Sequence, residues 1–214
     1  TNGGSGALQA SDFAFTIIGG TATLGSATPT SINANGNIYT LGINLSGTSN
    51  GLDTLFVNPL DDSIFDGAGN EADSLQNNNS VLLNDLTAPS IISVSSSTAD
   101  GLYKIGDEIA IEVTFSESVV VNSALFQGNG TGRPNLTLET GSSDQVINYS
   151  SGSGGAVLVW NYTVALGNIS SDLDYQSATA LALNSGTIKD ISGNVAILTL
   201  PTPGASGSIG ANKA

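Results

Sequence analysis

Two sets of oxygen-bearing side chains are spaced so that folding could gather them around a metal ion. The first set is Asp85, Glu117 and Asp190, with Asn84 and Asn194 beside them; the second is Asp107, Asp172 and Asp174. Carboxylates and amides are ligands for hard cations, and calcium takes about six to eight oxygens from carboxylates, amides, backbone carbonyls and water. Other chemistries are closed by composition. The 214 residues contain no Cys and no His, so thiolate and imidazole metal sites, disulfides and His-dependent triads are absent. Lys104, Arg133, Lys189 and Lys213 are the only cations against 18 carboxylates, giving a net charge of −14. No basic patch can form to neutralise a phosphate backbone, which argues against a nucleic-acid partner.

Some decoys also fall away. Asp172-x-Asp174 lacks the glycine and terminal glutamate of an EF-hand loop. Gly152–Gly155 has neither a lysine nor a following helix, so it reads as a hairpin tip rather than a phosphate loop. No apolar run reaches the roughly 20 residues of a membrane-spanning helix. A hydrolase working through paired carboxylates is not excluded by residue types. Two degenerate repeats without a deep loop insertion make a poor catalytic site, however, and no enzyme is expected.

The elements that would carry these side chains are strands. Hydrophobic residues make up 39% of the chain, enough for a core, and only 10% of residues are charged. Short β-branched runs recur at 13–18, 38–45, 109–115, 156–164 and 195–200, separated by Gly, Ser, Asn and Asp. Ile109, Ile111, Val113 and Phe115 alternate with Ala110, Glu112 and Thr114, the period of a half-buried strand. Trp160, Tyr162 and Val164 alternate in the same way, which assigns Trp160 to the core. Many short strands with turn signals between them predict an all-β antiparallel sandwich.

The chain also repeats itself. Ile64-Phe65-Asp66-Gly67-Ala68-Gly69-Asn70-Glu71-Ala72 returns as Ile188-Lys189-Asp190-Ile191-Ser192-Gly193-Asn194-Val195-Ala196 at an offset of 124. The strand at 38–45 matches 158–165 at an offset of 120, and Gly20 matches Gly141 at 121. Between the copies, Asn84-Asp85-Leu86-Thr87-Ala88-Pro89 reads as a short stiff linker, because Pro89 cannot donate a ladder bond and biases Ala88 to extended backbone. The expected domains are 1–86 and 87–214. The second copy has 47 residues, from Thr87 to Arg133, ahead of its strand near Pro134, and the first has only about a dozen before Phe13. The first copy is therefore expected to lack two strands, as a piece of a longer repetitive protein would, unless another chain supplies them.

Strand directions sort the carboxylates. If the strand at 91–95 leaves the linker, the strand at 109–115 returns to it and brings Glu117 to the linker end. The penultimate strand ends there too, at Asp190, with Gly193 and Asn194 turning the chain into the last strand. Three carboxylates converging there would repel one another unless a divalent ion sat between them. The plainer reading of Asp-x-x-Gly-Asn is a hairpin turn, and the two readings are compatible. The second set falls at the far pole, where a loop held by aspartates competes with a weaker metal site.

Taken together, Thr87-Ala88-Pro89, Gly106-Asp107, Phe115-Ser116-Glu117-Ser118-Val119, Leu136–Gly141, Asp172-Leu173-Asp174-Tyr175 and Ile188–Ala196 resemble the Ig-like repeats of giant bacterial surface adhesins. The first copy, with Gly19–Leu24, Tyr39–Ile43 and Asp66–Ala72, resembles repeats of gliding-motility adhesins of the Bacteroidetes. The second is closer to the repeat of a cyanobacterial swimming-associated surface protein. The resemblance implies tandem Ig-like sandwiches in a secreted, cell-surface stalk, with calcium at domain junctions. Its partners would be neighbouring repeats, other filament subunits or a surface glycan. Tyr175 resembles the tyrosine that pins a corner of Ig sandwiches. The alternative is a carbohydrate- or other ligand-binding sandwich module, which an exposed Trp160 beside another ring would favour.

Overall fold

A computed structural model describes residues 6–122 and 132–213, so 123–131, within the stretch that the second copy has in excess, lie outside the described residues. The chain divides into two compact units, Thr1–Thr87 and Ala88–Ala214. In the first, a single 3-10 turn (Ala10–Asp12) leads into β1 (Phe13–Ile18). There follow β2 (Thr23–Leu24), β3 (Ser31–Asn35), β4 (Ile38–Gly42), β5 (Leu45–Ser46), β6 (Thr54–Pro59) and β7 (Ser80–Leu82). They pair as β1-β6-β7, β2-β5 and β3-β4, all antiparallel. The run predicted as one strand over 38–45 is two, because the Asn44 carbonyl turns aside to accept the Gly25 N–H at 2.8 Å.

The second unit holds β8 (Ile91–Ser96), β9 (Glu108–Asn122), β10 (Asn135–Glu139), β11 (Gln145–Ser151), β12 (Gly155–Thr163), β13 (Asp174–Tyr175), β14 (Leu181–Ala182), β15 (Thr187–Lys189) and a four-residue helix α1 (Ile209–Asn212). Its sheet runs β13-β10-β11-β12-β9-β15, with β8 on β9 and β14 on β10. The β11–β12 hairpin turns at the predicted tip. Gly152 has φ +104° there, and a Cβ on it would lie 2.2 Å from the Val157 carbonyl oxygen, so only glycine fits.

Strand β9 organises this unit. Its first half pairs with β12 on one edge and β8 on the other, and its last three residues pair with β15. Between the pairs Thr114–Val157 and Val119–Gly155, β9 advances five residues while β12 advances two. The excess is a bulge over 115–118, and bulges bend a strand and re-aim its side chains. Ile109, Ile111, Val113 and Phe115 face inward as the alternation predicts, and together with Val119 they pack with Leu136, Leu138, Leu158, Trp160, Tyr175 and Ile188 into one core. The result is an all-β, sandwich-like unit.

Trp160 is 0% exposed, its indole N–H donates to the Pro134 carbonyl at 3.3 Å, and its ring meets Tyr149 edge-on at 5.7 Å. Tyr175 is also buried, and its hydroxyl donates to the Pro201 carbonyl at 2.6 Å. It thus ties the chain to a segment 26 residues downstream rather than to its own corner. The predicted strand at 195–200 is reduced to isolated bridges, Lys189 with Val195 and Ser90 with Ile197, the second parallel. The Ile197 N–H donates to Pro89 at 2.7 Å, but Pro89 has no N–H to return, so a regular ladder cannot extend past it.

Removing Trp160 would leave a large unfilled space. Trp160→Ala is expected to destabilise the second unit by about 3–5 kcal/mol, against about 0.5 kcal/mol or less for the exposed Val146→Ala. Urea titration followed by hydrogen exchange of β9 and β12 amides measures the difference.

Candidate functional site

The Asp-x-x-Gly-Asn repeat folds as the same turn in both units. In the first, one Asp66 oxygen accepts the Asn70 N–H at 2.9 Å and the other accepts the Asn70 side-chain amide at 2.8 Å. In the second, Asp190 accepts the same two donors of Asn194 at 2.8 and 2.7 Å. The backbone bonds repeat as well. Asp66 N–H reaches Asn70 O, Gly69 N–H reaches Asp66 O and Ala72 N–H reaches Ile64 O, matched by Asp190 to Asn194, Gly193 to Asp190 and Ala196 to Ile188. Gly69 and Gly193 supply the positive φ of 88° and 97° that closes each turn. Bonds from the Asn70 side chain and backbone, then from the Ala68 N–H, hold the Asp66 carboxyl below the ordinary aspartate range.

The copies differ in setting. Asp66 is exposed, whereas Asp190 is only 4% exposed and stands beside Glu117. A carboxylate oxygen of Glu117 lies within 4.8 Å of one of Asp190. Glu117 sits inside the β9 bulge on the inward parity of the strand, between buried Phe115 and Val119. Calcium–oxygen bonds run to about 2.6 Å, so one ion can reach two oxygens about 5 Å apart. A carboxylate has about four lone-pair sites, and the Asn194 bonds use two of those on Asp190.

The entry to the second unit lies at this end. The Ser90 carbonyl accepts the Ser116 N–H at 2.8 Å, and the Ser90 N–H donates to the Ser116 hydroxyl at 3.0 Å, one residue from Glu117. Asp85 and Asn84 belong to the end of the first unit. Asp85 bridges to Asn50 and accepts the Thr87 N–H at 2.9 Å, an Asx turn that shapes the connecting segment, and Asn84 is exposed.

The second set does not gather. Asp107, Asp172 and Asp174 do not bring an oxygen each within 4.8 Å of one another. Asp107 closes a turn by accepting the Lys104 N–H at 2.9 Å and its ammonium at 3.1 Å, and the first of these bonds does most to lower its pKa. Asp174 accepts the Tyr175 N–H and the Gly204 N–H, both at 2.9 Å. Asp172 and Asp174 flank Gly210, where an added Cβ would stand 3.2 and 3.0 Å from their oxygens. Asp107 and Asp174 thus hold loops, as the plainer sequence reading has it.

Two features were not singled out from the sequence. One is Asp53, fully buried in the first unit, which accepts from Ala22 N–H at 2.9 Å, Ser49 Oγ at 2.9 Å and Asn50 N–H at 3.2 Å. Desolvation alone would raise its pKa, but these bonds together with one from Thr21 outweigh it and hold the carboxyl low. The other is a cleft of about 410 Å³ in the second unit, lined by Leu102, Tyr103, Tyr162, Ile169, Asp172 and Leu173 among others. Only the repeated Leu-Asp at 52–53 and 173–174 could have flagged Asp53; the cleft left no sequence signal.

No helix of the described residues is long and apolar enough to cross a membrane. No family model, curated protein or solved structure matches the chain.

Because the Asp53 pKa is lowered by folding, its stabilisation is present at neutral pH and is lost as pH falls from about 4 through the folded-state value. Hydrogen exchange of β6 amides from pH 7 to pH 3 is expected to show this acid loss of protection. Asp53→Asn should be weaker at pH 7 and flatter across the range.

Proposed function

We propose that the two units are Ig-like stalk repeats of a large secreted surface adhesin or gliding-motility filament, stiffened by calcium where one repeat joins the next. The observation that carries this reading is the bond-for-bond recurrence of the Asp66 and Asp190 turns, 124 residues apart. Two copies of one unit in tandem suit a spacer, and the composition, without His or Cys, leaves few catalytic constellations open to either.

Glu117 and Asp190 form the base of the calcium site in this reading. Asp85 is four residues upstream of Pro89, and a chain of that length spans at most about 14 Å, so the connecting segment can deliver its carboxylate to the same pole. Asn84 and Asn194 are the neutral oxygens at hand, although Asn194 already serves Asp190 as a donor. A bound ion would draw together carboxylates that otherwise repel and would restrict the connecting segment. The partners implied are adjoining repeats of the same fibre.

The cleft in the second unit favours a second reading, a sandwich module that binds a carbohydrate or other small ligand. Trp160 and Tyr162 cannot be its platform, since both are buried in the core, but Tyr103 lines the cleft and is 37% exposed. Soaking or titration with glycans that perturbs Tyr103 and Leu102 resonances would support that reading over the stalk.

Calcium at about 100 times its dissociation constant stabilises the state that binds it by about 2.7 kcal/mol, or roughly 10 °C in a unit of this size. Melting with calcium and with chelator is expected to differ by that amount. Glu117→Gln and Asp190→Asn should abolish the difference, and Asp66→Asn should leave it intact. Equal melting temperatures with and without calcium would remove calcium from the reading.

A further inference from the structure

The outer face of the second unit carries a regular feature that neither the core nor the acidic pole uses. In β10, β11 and β12 the side chains of Leu136, Tyr149 and Trp160 turn toward the core. Successive residues of a strand point to opposite faces, so Asn135, Asn148 and Asn161, each next to one of these, point outward. They also stand side by side. Asn135 pairs directly with Asn148, and Asn148 and Asn161 flank the antiparallel pair Tyr149–Trp160 on the same side. The row crosses three strands and ends against Ala110 of β9. Neighbouring strands lie about 4.8 Å apart, so one carboxamide is presented at each such step.

Asn148 and Asn161 are exposed and Asn135 is half-buried. Among the described residues, none of the three side chains has a hydrogen-bond partner. Each carboxamide offers two donors and one acceptor. One row further along lie Thr137, paired with Val146, and Thr163. None of these six side chains is charged, on a chain whose net charge is −14. With no cation among them, the face gives a phosphate nothing to pair with. The backbone is closed to a peptide as well. Strand β11 lies between β10 and β12, β12 also pairs with β9, and β10 also pairs with β13 and β14, so recognition here falls to side chains.

We propose that this face binds a neutral, extended polysaccharide, a β-linked glucan of the cellulose type, lying across the strands along the asparagine row. Sugar hydroxyls both donate and accept, as carboxamides do. The sugar repeat of such a chain is close to the strand spacing of about 4.8 Å, so successive sugars meet successive asparagines. Its flat ribbon also suits a sheet face, whereas a coiled α-linked chain leaves the row after one or two sugars. The row shares no residue with the cleft of the second unit or with the carboxylates assigned to calcium, so this proposal stands or falls apart from both readings.

The test titrates the whole chain with cellohexaose and follows the asparagine side-chain amides by NMR. The signals of Asn135, Asn148 and Asn161 should shift together with a single dissociation constant. Asn148→Ala and Asn161→Ala, each with an unchanged melting temperature, should weaken binding about fivefold, and the double variant should abolish it. Tyr103→Ala, in the cleft, should leave it unchanged. Maltohexaose, the α-linked chain of the same sugar, should bind about tenfold more weakly or worse. No shift of the three signals with cellohexaose would overturn the proposal. So would equal binding of maltohexaose, full binding by the double variant, or shifts centred on Tyr103, the last of which would favour the cleft instead.

Discussion

Strand β9 is the constraint on which the second unit depends. Its inward residues meet side chains from most of the other strands of the unit, and its edges are shared by β8, β12 and β15. A strand with both edges paired and one face in the core is fixed in register, because a slip of one residue would turn every apolar side chain outward. The strand serves β8 and β12 with its first half and β15 with its last three residues, and the bulge at 115–118 lies between the two. That same bulge places Glu117 where an unbroken strand would continue its apolar row. The acidic pole is thus a consequence of how β9 bends, not an addition to a finished fold.

The Asp-x-x-Gly-Asn turn supplies the other half of that pole. Asparagine donates from both its backbone and its side chain to one aspartate, which locks the carboxylate rotamer without any tertiary partner. That explains why the geometry survives in both units although Asp66 is exposed and Asp190 is buried. A locally locked carboxylate loses little further freedom on meeting a cation, and this is the kind of preorganisation that favours binding. Local chemistry makes the turn, and the fold sets its second copy beside Glu117.

What was legible in the sequence follows the same division. Alternation at 109–115 and the phase of Trp160, Tyr162 and Val164 identified strands and core, since a half-buried strand writes its period into the chain. The convergence of Glu117 and Asp190 followed from strand directions alone. Asp53 was hidden because its donors, at 21, 22, 49 and 50, form no pattern along the chain. The failure of 195–200 to form a regular strand was hidden for a related reason. The run is apolar enough, but its bridge across the edge is to Ser90, next to Pro89, and proline offers no donor to carry the ladder further back. For the second acidic set the sequence left two readings open, because aspartates that hold loops have the same composition and spacing as aspartates that hold ions.

The comparison between units turns an apparent defect into information. Sequence similarity between β4 and β12 records a common packing environment, including the neighbour that β12 has and β4 lacks among the described residues. At an offset of 121, one more than the 120 first read for this strand, Tyr39, Leu41 and Ile43 match Trp160, Tyr162 and Val164 in apolar character while remaining partly exposed. An exposed strand edge is normally blunted by charge, proline or a bulge, and β4 carries none of these. Residues suited to burial thus stand on an unprotected edge in the first unit, whereas in the second unit the alternating row of β9 lies against the matching edge of β12.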